Sequence, residues 1–251
     1  MRRKIWILTP REAAVTAVFT ALVCVATFAF TIYVPQTKGF FNIGETMVYI
    51  TALLFGPVVG SIAGGVGSML ADLILGYSHY APATLVIKAC EGFIVGSLSR
   101  RLPKVSSKTR WKIYTTLIGV LPGVLLSIIG STYYAGSVEL YLGPYQEQPA
   151  TVIPVPAEAW YILGLLVTIF VLLVGFISEP ELGWTIFSII LGGITMVTGY
   201  LLYEQFFLGV LAYVEVPINI GQMTVGLVVS IPVVRAVYRY LPSLKGKPEE
   251  T

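Results

Sequence analysis

TLVIKACEGFIVG, residues 84–96, sets a lysine and a glutamate three positions apart inside a run whose other members suit hydrocarbon. At this i, i+3 spacing Lys88 and Glu91 share one helix face and can neutralise each other. If the run crosses a bilayer, a charge at mid-depth costs at least ~2.5–3.5 kcal/mol on insertion scales, so each is by default paired or functional. The rest of the chain decides which solvent the run meets. Of 251 residues, 56% are hydrophobic and 12% charged, against about 25% charged in ordinary soluble domains. Mean hydropathy is +0.82. The chain reads as an integral membrane protein.

The apolar runs are roughly 17–25 residues long and broken by Gly/Pro turns, which suits bundled helices rather than the alternating ~10-residue strands of an outer-membrane barrel. Eight spans are expected, at about 12–33, 44–58, 59–77, 82–99, 112–134, 158–178, 184–208 and 216–238. The second and third are short and joined by FGPVVG. Of the 16 Lys and Arg, four lie in residues 2–11, six in 100–112 and four in 235–247. Eight spans put all three clusters on one side, which the positive-inside rule makes cytoplasmic, with both termini. The opposite loops carry only Lys38.

These clusters abut span ends and lack any recognition motif, so no nucleic-acid partner is expected. Cys24 and Cys90 fall within spans without CxxC or Cys/His spacing, and indicate neither a disulfide framework nor a metal site. His79, the only histidine, offers no metal site by itself. The first apolar segment is too long for a signal-peptide core, and no small-residue cleavage site follows it.

Folded into this topology, the intramembrane polar residues converge. Glu45 starts span 2 near the outer surface, and Asp72 lies about one turn from the outer end of span 3. At ~1.5 Å per residue, Lys88 and Glu91 lie ~10 and ~15 Å into span 4. Glu204 is near the outer end of span 7 beside Tyr200 and Tyr203, and Asn219 and Gln222 open span 8 from outside. The expectation is a polar pocket reached from outside the cell, lined or supported by Glu45, Lys88, Glu91, Glu204, Asn219 and Gln222, with Tyr80 and Tyr203 as stacking surfaces. Structural alternatives stand beside it. Asn42 and Glu45 have the spacing of a capping box, Asp72 can simply terminate span 3, and Tyr residues line both membrane interfaces as belts. Glu204 has no basic neighbour in its own helix.

Ala13, Ala17 and Ala21 recur every four residues in span 1, and Gly60, Gly64 and Ser68 do so in span 3. Such flat stripes let helices approach closely, within the chain or between chains. There is no GxxxxGK[ST] loop and no hydrolase or zinc motif, so the chain is expected to be no enzyme, to use no cofactor, and to borrow any energy it uses.

The AxxxAxxxA first helix, the segment TKGFFNIGETMVYITALLFGPVVGSIAGGVGSMLADLILGYSHYAPATLVIKACEGFIVGSLSR, and the late pair GGITMVTGYLLYEQFFLG and VEVPINIGQMTVGLVVSIP together resemble the substrate-capture (S) subunits of energy-coupling factor transporters. The resemblance covers residues 12–102 and about 184–241. It implies an all-α polytopic bundle of six helices that binds a water-soluble vitamin from outside, with a transmembrane coupling (T) subunit and two ATP-binding cassette ATPases as partners. It further implies that Ala13, Ala17 and Ala21 meet the coupling subunit. GFFNIGE resembles the segment of the hydroxymethylpyrimidine and pyridoxine branch, with Glu45 at an expected Asp, which ranks small-ring vitamins above riboflavin.

In one respect the chain departs from that pattern. Residues 103–183 are expected to insert two further spans and an outer loop, YYAGSVELYLGPYQEQPATVIPVPAEAWY, into a single membrane domain over 1–251. Two rivals remain: an ion- or proton-coupled secondary transporter using Glu91, Asp72 or Glu204, and an assembly subunit without a ligand. No inverted repeat supports the first.

Overall fold

The structure, a computed structural model, describes residues 8–34, 39–101, 113, 116, 120, 123–128, 130–132, 135–141, 151–177, 180–209 and 212–244. The basic residues Arg2, Arg3, Lys4, Lys38, Lys104, Lys108, Arg110, Lys112, Lys245 and Lys247, and much of span 112–134 and of the outer loop after it, lie outside the described residues.

Helix α1 (Pro10–Ala29) opens on a complete capping box. The Glu12 amide donates to Thr9 Oγ1 at 3.3 Å and the Thr9 amide donates to Glu12 Oε2 at 2.8 Å, with Pro10 preset for the first turn. Strands β1 (Thr31–Val34) and β2 (Gly39–Asn42) follow as an antiparallel pair. Then come α2 (Gly44–Phe55), α3 (Pro57–Ile74) and α4 (Ala81–Leu98). A helical segment α5 (Gly123–Thr132) precedes β3 (Gly136–Tyr141), β4 (Thr151–Val155), α6 (Ala157–Ile177), α7 (Pro180–Glu204) and α8 (Ala212–Tyr240). Among the described residues α1, α3, α4, α7 and α8 are long and apolar enough to cross a membrane. Their outward faces carry Val18, Val25, Val86, Phe93, Ile194 and Leu202, all exposed. Such apolar surface suits lipid and would be a liability in water.

Two expectations are corrected. The second span is no full crossing: α2 has 12 residues, about 18 Å of helix against a hydrocarbon core of ~30 Å. Gly56, at φ 85°, reverses the chain into Pro57, a backbone conformation that favours glycine. The first span ends at Ala29 rather than 33, because residues 31–34 leave the helix for a strand. That strand belongs to a sheet of order β2-β1-β3-β4, all antiparallel, with Thr31 opposite Asn42 on one side and Tyr141 on the other. An all-helical reading did not anticipate it, since a four-residue strand paired to a distant hairpin leaves no local periodicity.

α2 is the centre of the bundle. Val48, Tyr49, Leu53 and Leu54 meet Val23, Val95, Ile186, Ile189, Leu227 and Ile231 in one core. Around it the helices approach at backbone distance. A Cβ on Gly60 would stand 2.7 Å from Ala52 Cα and 3.0 Å from the Gly92 carbonyl oxygen, and one on Gly64 would stand 3.1 Å from the Lys88 carbonyl oxygen. The stripe in α3 is therefore spent inside the chain, whereas Ala13, Ala17 and Ala21 are exposed. Gly123 and Gly164 pack α5 and α6 together, and Gly130 meets Trp160. At the end holding Arg100, the Trp184 indole N–H donates to the Leu98 carbonyl at 2.6 Å and the Tyr238 hydroxyl to that of Leu53 at 2.8 Å. Both satisfy carbonyls in last helical turns, which have no partner in their own helix.

Candidate functional site

At the opposite end, α2, α3, α4, α7, α8 and β2 surround a cavity with about 560 Å³ of atom-free space, part of it continuous with solvent. Gly39, Phe40 and Asn42 of β2 and the first turn of α2 contribute to its wall.

Lys88 of α4 forms the floor. Its ammonium makes an ion pair with Glu45 of α2 and stands 3.3 Å from Glu91 Oε2 and 5.5 Å from the centre of the Tyr200 ring. The Tyr49 hydroxyl donates to Glu91 Oε1 at 2.8 Å, so both Glu91 oxygens are satisfied behind the wall. Two of the three groups come from α4 and one from α2, and burial makes their mutual compensation obligatory. Glu45 is thus buried and does not cap α2. Asn42 Oδ1 accepts from the Gly44 amide at 2.8 Å, while the Glu45 side chain turns inward to Lys88.

Nearer the mouth, the Tyr80 hydroxyl donates to Glu204 Oε1 at 3.3 Å and the Tyr200 hydroxyl to Thr84 Oγ1 at 3.0 Å. Tyr80 precedes the first residue of α4; burial, then the Glu204 and Glu215 carboxylates, push its phenol up from the ordinary value, so it stays a neutral donor. On α8 the Gln222 amide donates to Asn219 Oδ1 at 2.9 Å and accepts from the Asn42 backbone amide at 3.2 Å. That bond fastens the end of β2 to α8. Phe40 and Tyr77, 4.8 Å apart between ring centres, add an aromatic wall.

Of the residues expected from sequence, Glu45, Lys88, Tyr80, Glu204, Asn219 and Gln222 line the cavity, and Glu91 backs it. Tyr203 lies outside the lining: its hydroxyl donates to the His79 carbonyl and its ring packs on Phe207, 5.2 Å away. It fastens the α3–α4 loop to α7 rather than offering a stacking face. Asp72 and Tyr200, which the sequence places at the same end without assigning them to the pocket, line the cavity, as do Thr84 and Glu215, which it does not single out. Glu215 precedes the expected start of span 8 at 216, whereas α8 starts at Ala212. A carboxylate between apolar residues in LAYVEVPIN was the available signal. Thr84 gives no signal, since a threonine in an apolar helix usually bonds its own backbone.

Among the described residues no group of three His, Cys, Asp or Glu is arranged to hold a metal. Lys88 is the single Lys or Arg on the described wall. Glu45 Oε2, Asp72 Oδ2 and Glu204 Oε2 are buried and meet no donor among the described residues. The cavity can therefore accept hydrogen bonds from a bound molecule.

A relative from Pyrococcus woesei, described as an uncharacterized protein in gap 3'region, is 40% identical over 122 residues, 49% of this chain and 74% of its own length. The thiamine precursor transporter HmpT of Lactococcus lactis subsp. cremoris (strain MG1363) is 26% identical over 128 residues, 51% of this chain and 72% of its own. The family model described as ECF-type riboflavin transporter, S component, matches residues 8–178, a range that includes 103–178. The chain belongs to this family of transporter S components: it is a multi-pass membrane protein of a transport system whose family works with T and ATPase subunits, and not an enzyme.

Proposed function

We propose that the protein captures a water-soluble vitamin or vitamin precursor from outside the cell, in the plasma membrane, and hands it to an ATP-driven module made of a T subunit and two ATP-binding cassette ATPases. A small-ring compound such as hydroxymethylpyrimidine, another thiamine precursor or pyridoxine is favoured, with riboflavin next. The observation that carries the reading is the cavity itself, a polar and aromatic chamber at the end away from Arg100, Arg235 and Arg239. Similarity to a thiamine precursor transporter supports the small ring, and the family description keeps riboflavin in play. Glu45, Lys88, Glu204, Asn219, Gln222 and Tyr80 contact or orient the ligand, and Glu91 holds Lys88 in place.

Ala13, Ala17 and Ala21 form the coupling-subunit interface in this reading; their exposure on α1 leaves them free for it. Residues 12–102 and 184–241 form the binding core of a single membrane domain, and 103–183 a helical hairpin added to it. The packing of α5 and α6 on each other supports that division.

The test is mass spectrometry of small molecules released from the detergent-purified protein. A stoichiometric vitamin or precursor is expected. Absence of any bound ring compound, together with no thermal stabilisation by vitamins at 100 times a micromolar dissociation constant, where about 2.7 kcal/mol is expected, would sink the capture role. Uptake that survives ATP depletion but collapses with an uncoupler would favour a secondary transporter.

A further inference from the structure

Glu45 Oε2, Asp72 Oδ2 and Glu204 Oε2 have no donor among the described residues, and all three side chains line one cavity. They come from α2, α3 and α7, so no single helix accounts for their meeting. Their residues are 1%, 6% and 3% exposed. Buried acceptors without donors are rare in folded proteins because each forfeits its hydration without replacement. Three around one chamber amount to a demand for donors, made in one place.

The charge balance points the same way. Glu215 adds a fourth carboxylate to the wall. The one ammonium, Lys88, already serves Glu45 and Glu91. Phe40, Tyr77, Tyr80 and Tyr200 supply the remaining surface, and the negative faces of aromatic rings attract cations. An incoming phosphate or carboxylate would meet several carboxylates with no uncommitted cation on the described wall, and like charges brought together in a poorly hydrated site disfavour binding steeply.

We propose that the cavity selects a small heteroaromatic ring bearing amine, hydroxyl or ring N–H donors, or a positive charge, and rejects the phosphate ester of the same ring, with Asp72 and Glu204 as the residues that set this preference. The inference rests on the capture reading above. It adds that the protein takes up only dephosphorylated rings, so a phosphatase must act before uptake on any esterified source, and a kinase must act afterwards where the cell uses the ester.

The experiment is isothermal titration of the full detergent-purified chain with four pairs: hydroxymethylpyrimidine, pyridoxine, thiamine and riboflavin, each against its monophosphate. At least one parent ring is expected to bind, with its ester at least a hundredfold weaker. An ester that binds within threefold of its parent overturns the inference and leaves the capture role intact. If none of the eight compounds binds, the vitamin reading fails and this inference with it. Asp72→Asn and Glu204→Gln, which keep size and hydrogen-bonding capacity, are each expected to weaken the parent tenfold or more and to narrow the parent-to-ester ratio. Tyr203→Phe, outside the cavity, is expected to change neither. An unchanged ratio in both acid variants removes those residues from the assignment. If either fails to fold, the wild-type pairs still decide.

Discussion

Glu45, in the first turn of α2, and Lys88, in the second turn of α4, form a buried ion pair that closes the floor of the cavity. The pair links the central helix to a neighbour at the depth where the ribbon before α2 ends. Glu91 and Tyr49 complete the arrangement from behind. The fold is expected to depend on this contact whether or not a ligand is bound.

Replacing Lys88 by methionine leaves Glu45 and Glu91 buried without their cation. A loss of about 3–5 kcal/mol in unfolding free energy is expected, the usual result of breaking a buried pair by removing one partner. Pairing Lys88→Met with Glu45→Gln should cost less than the sum of the single changes, since the second relieves a charge the first exposed. Thermal denaturation in detergent measures both; strict additivity would show that the two side chains do not interact.

Binding should be lost more selectively at the mouth. Glu204→Ala is expected to weaken the ligand at least tenfold, about 1.4 kcal/mol, with the melting temperature of the ligand-free protein little changed. Tyr80→Phe removes a hydroxyl that donates to Glu204 and should also weaken binding. Titration of each variant is the check, and full affinity in Glu204→Ala would exclude that carboxylate from the site.

The glycines between α3 and α4 are expected to tolerate no side chain. A methyl on Gly92 would run into the Gly60 carbonyl, and both neighbours are backbone that cannot rotate away. Gly92→Ala should therefore destabilise by about 1–3 kcal/mol, as overpacking does. Gly209→Ala, in a turn with nothing within 4 Å of its Cβ position, serves as the comparison for backbone strain alone. A Gly92 variant as stable as wild type would mean that the two helices can separate freely.

On α1 the expectation is the opposite. Ala17 is exposed, so Ala17→Trp should leave folding and ligand affinity intact while reducing ATP-dependent uptake at least tenfold in cells that supply the T and ATPase subunits. Uptake at the wild-type rate would move the coupling interface elsewhere.

Much of the architecture was legible in the chain because lipid imposes a simple code. Apolar length marks the helices, so the boundaries of α3, α4 and α8 lie within a few residues of the expected spans. The convergence of Lys88, Glu204, Asn219 and Gln222 was also legible, since a topology fixes depth and depth alone brings them to one end. Glu91 could be placed near Lys88 by helical spacing.

Only the tertiary structure decided the rest. The strands of the sheet are four to six residues long and come from both halves of the chain, and pairing at such separation is written in no local period. The position of Glu45 was decided by packing between helices: its side chain is buried against Lys88 of α4. Which side chains of α3, α4 and α7 face the cavity depends on helix rotation, which close packing at Gly60, Gly64, Gly92, Gly193 and Gly199 sets and which depth cannot reveal. The sequence determined which polar residues gather at one end of the bundle; the close packing of glycines and the β ribbon determined which of them face one another.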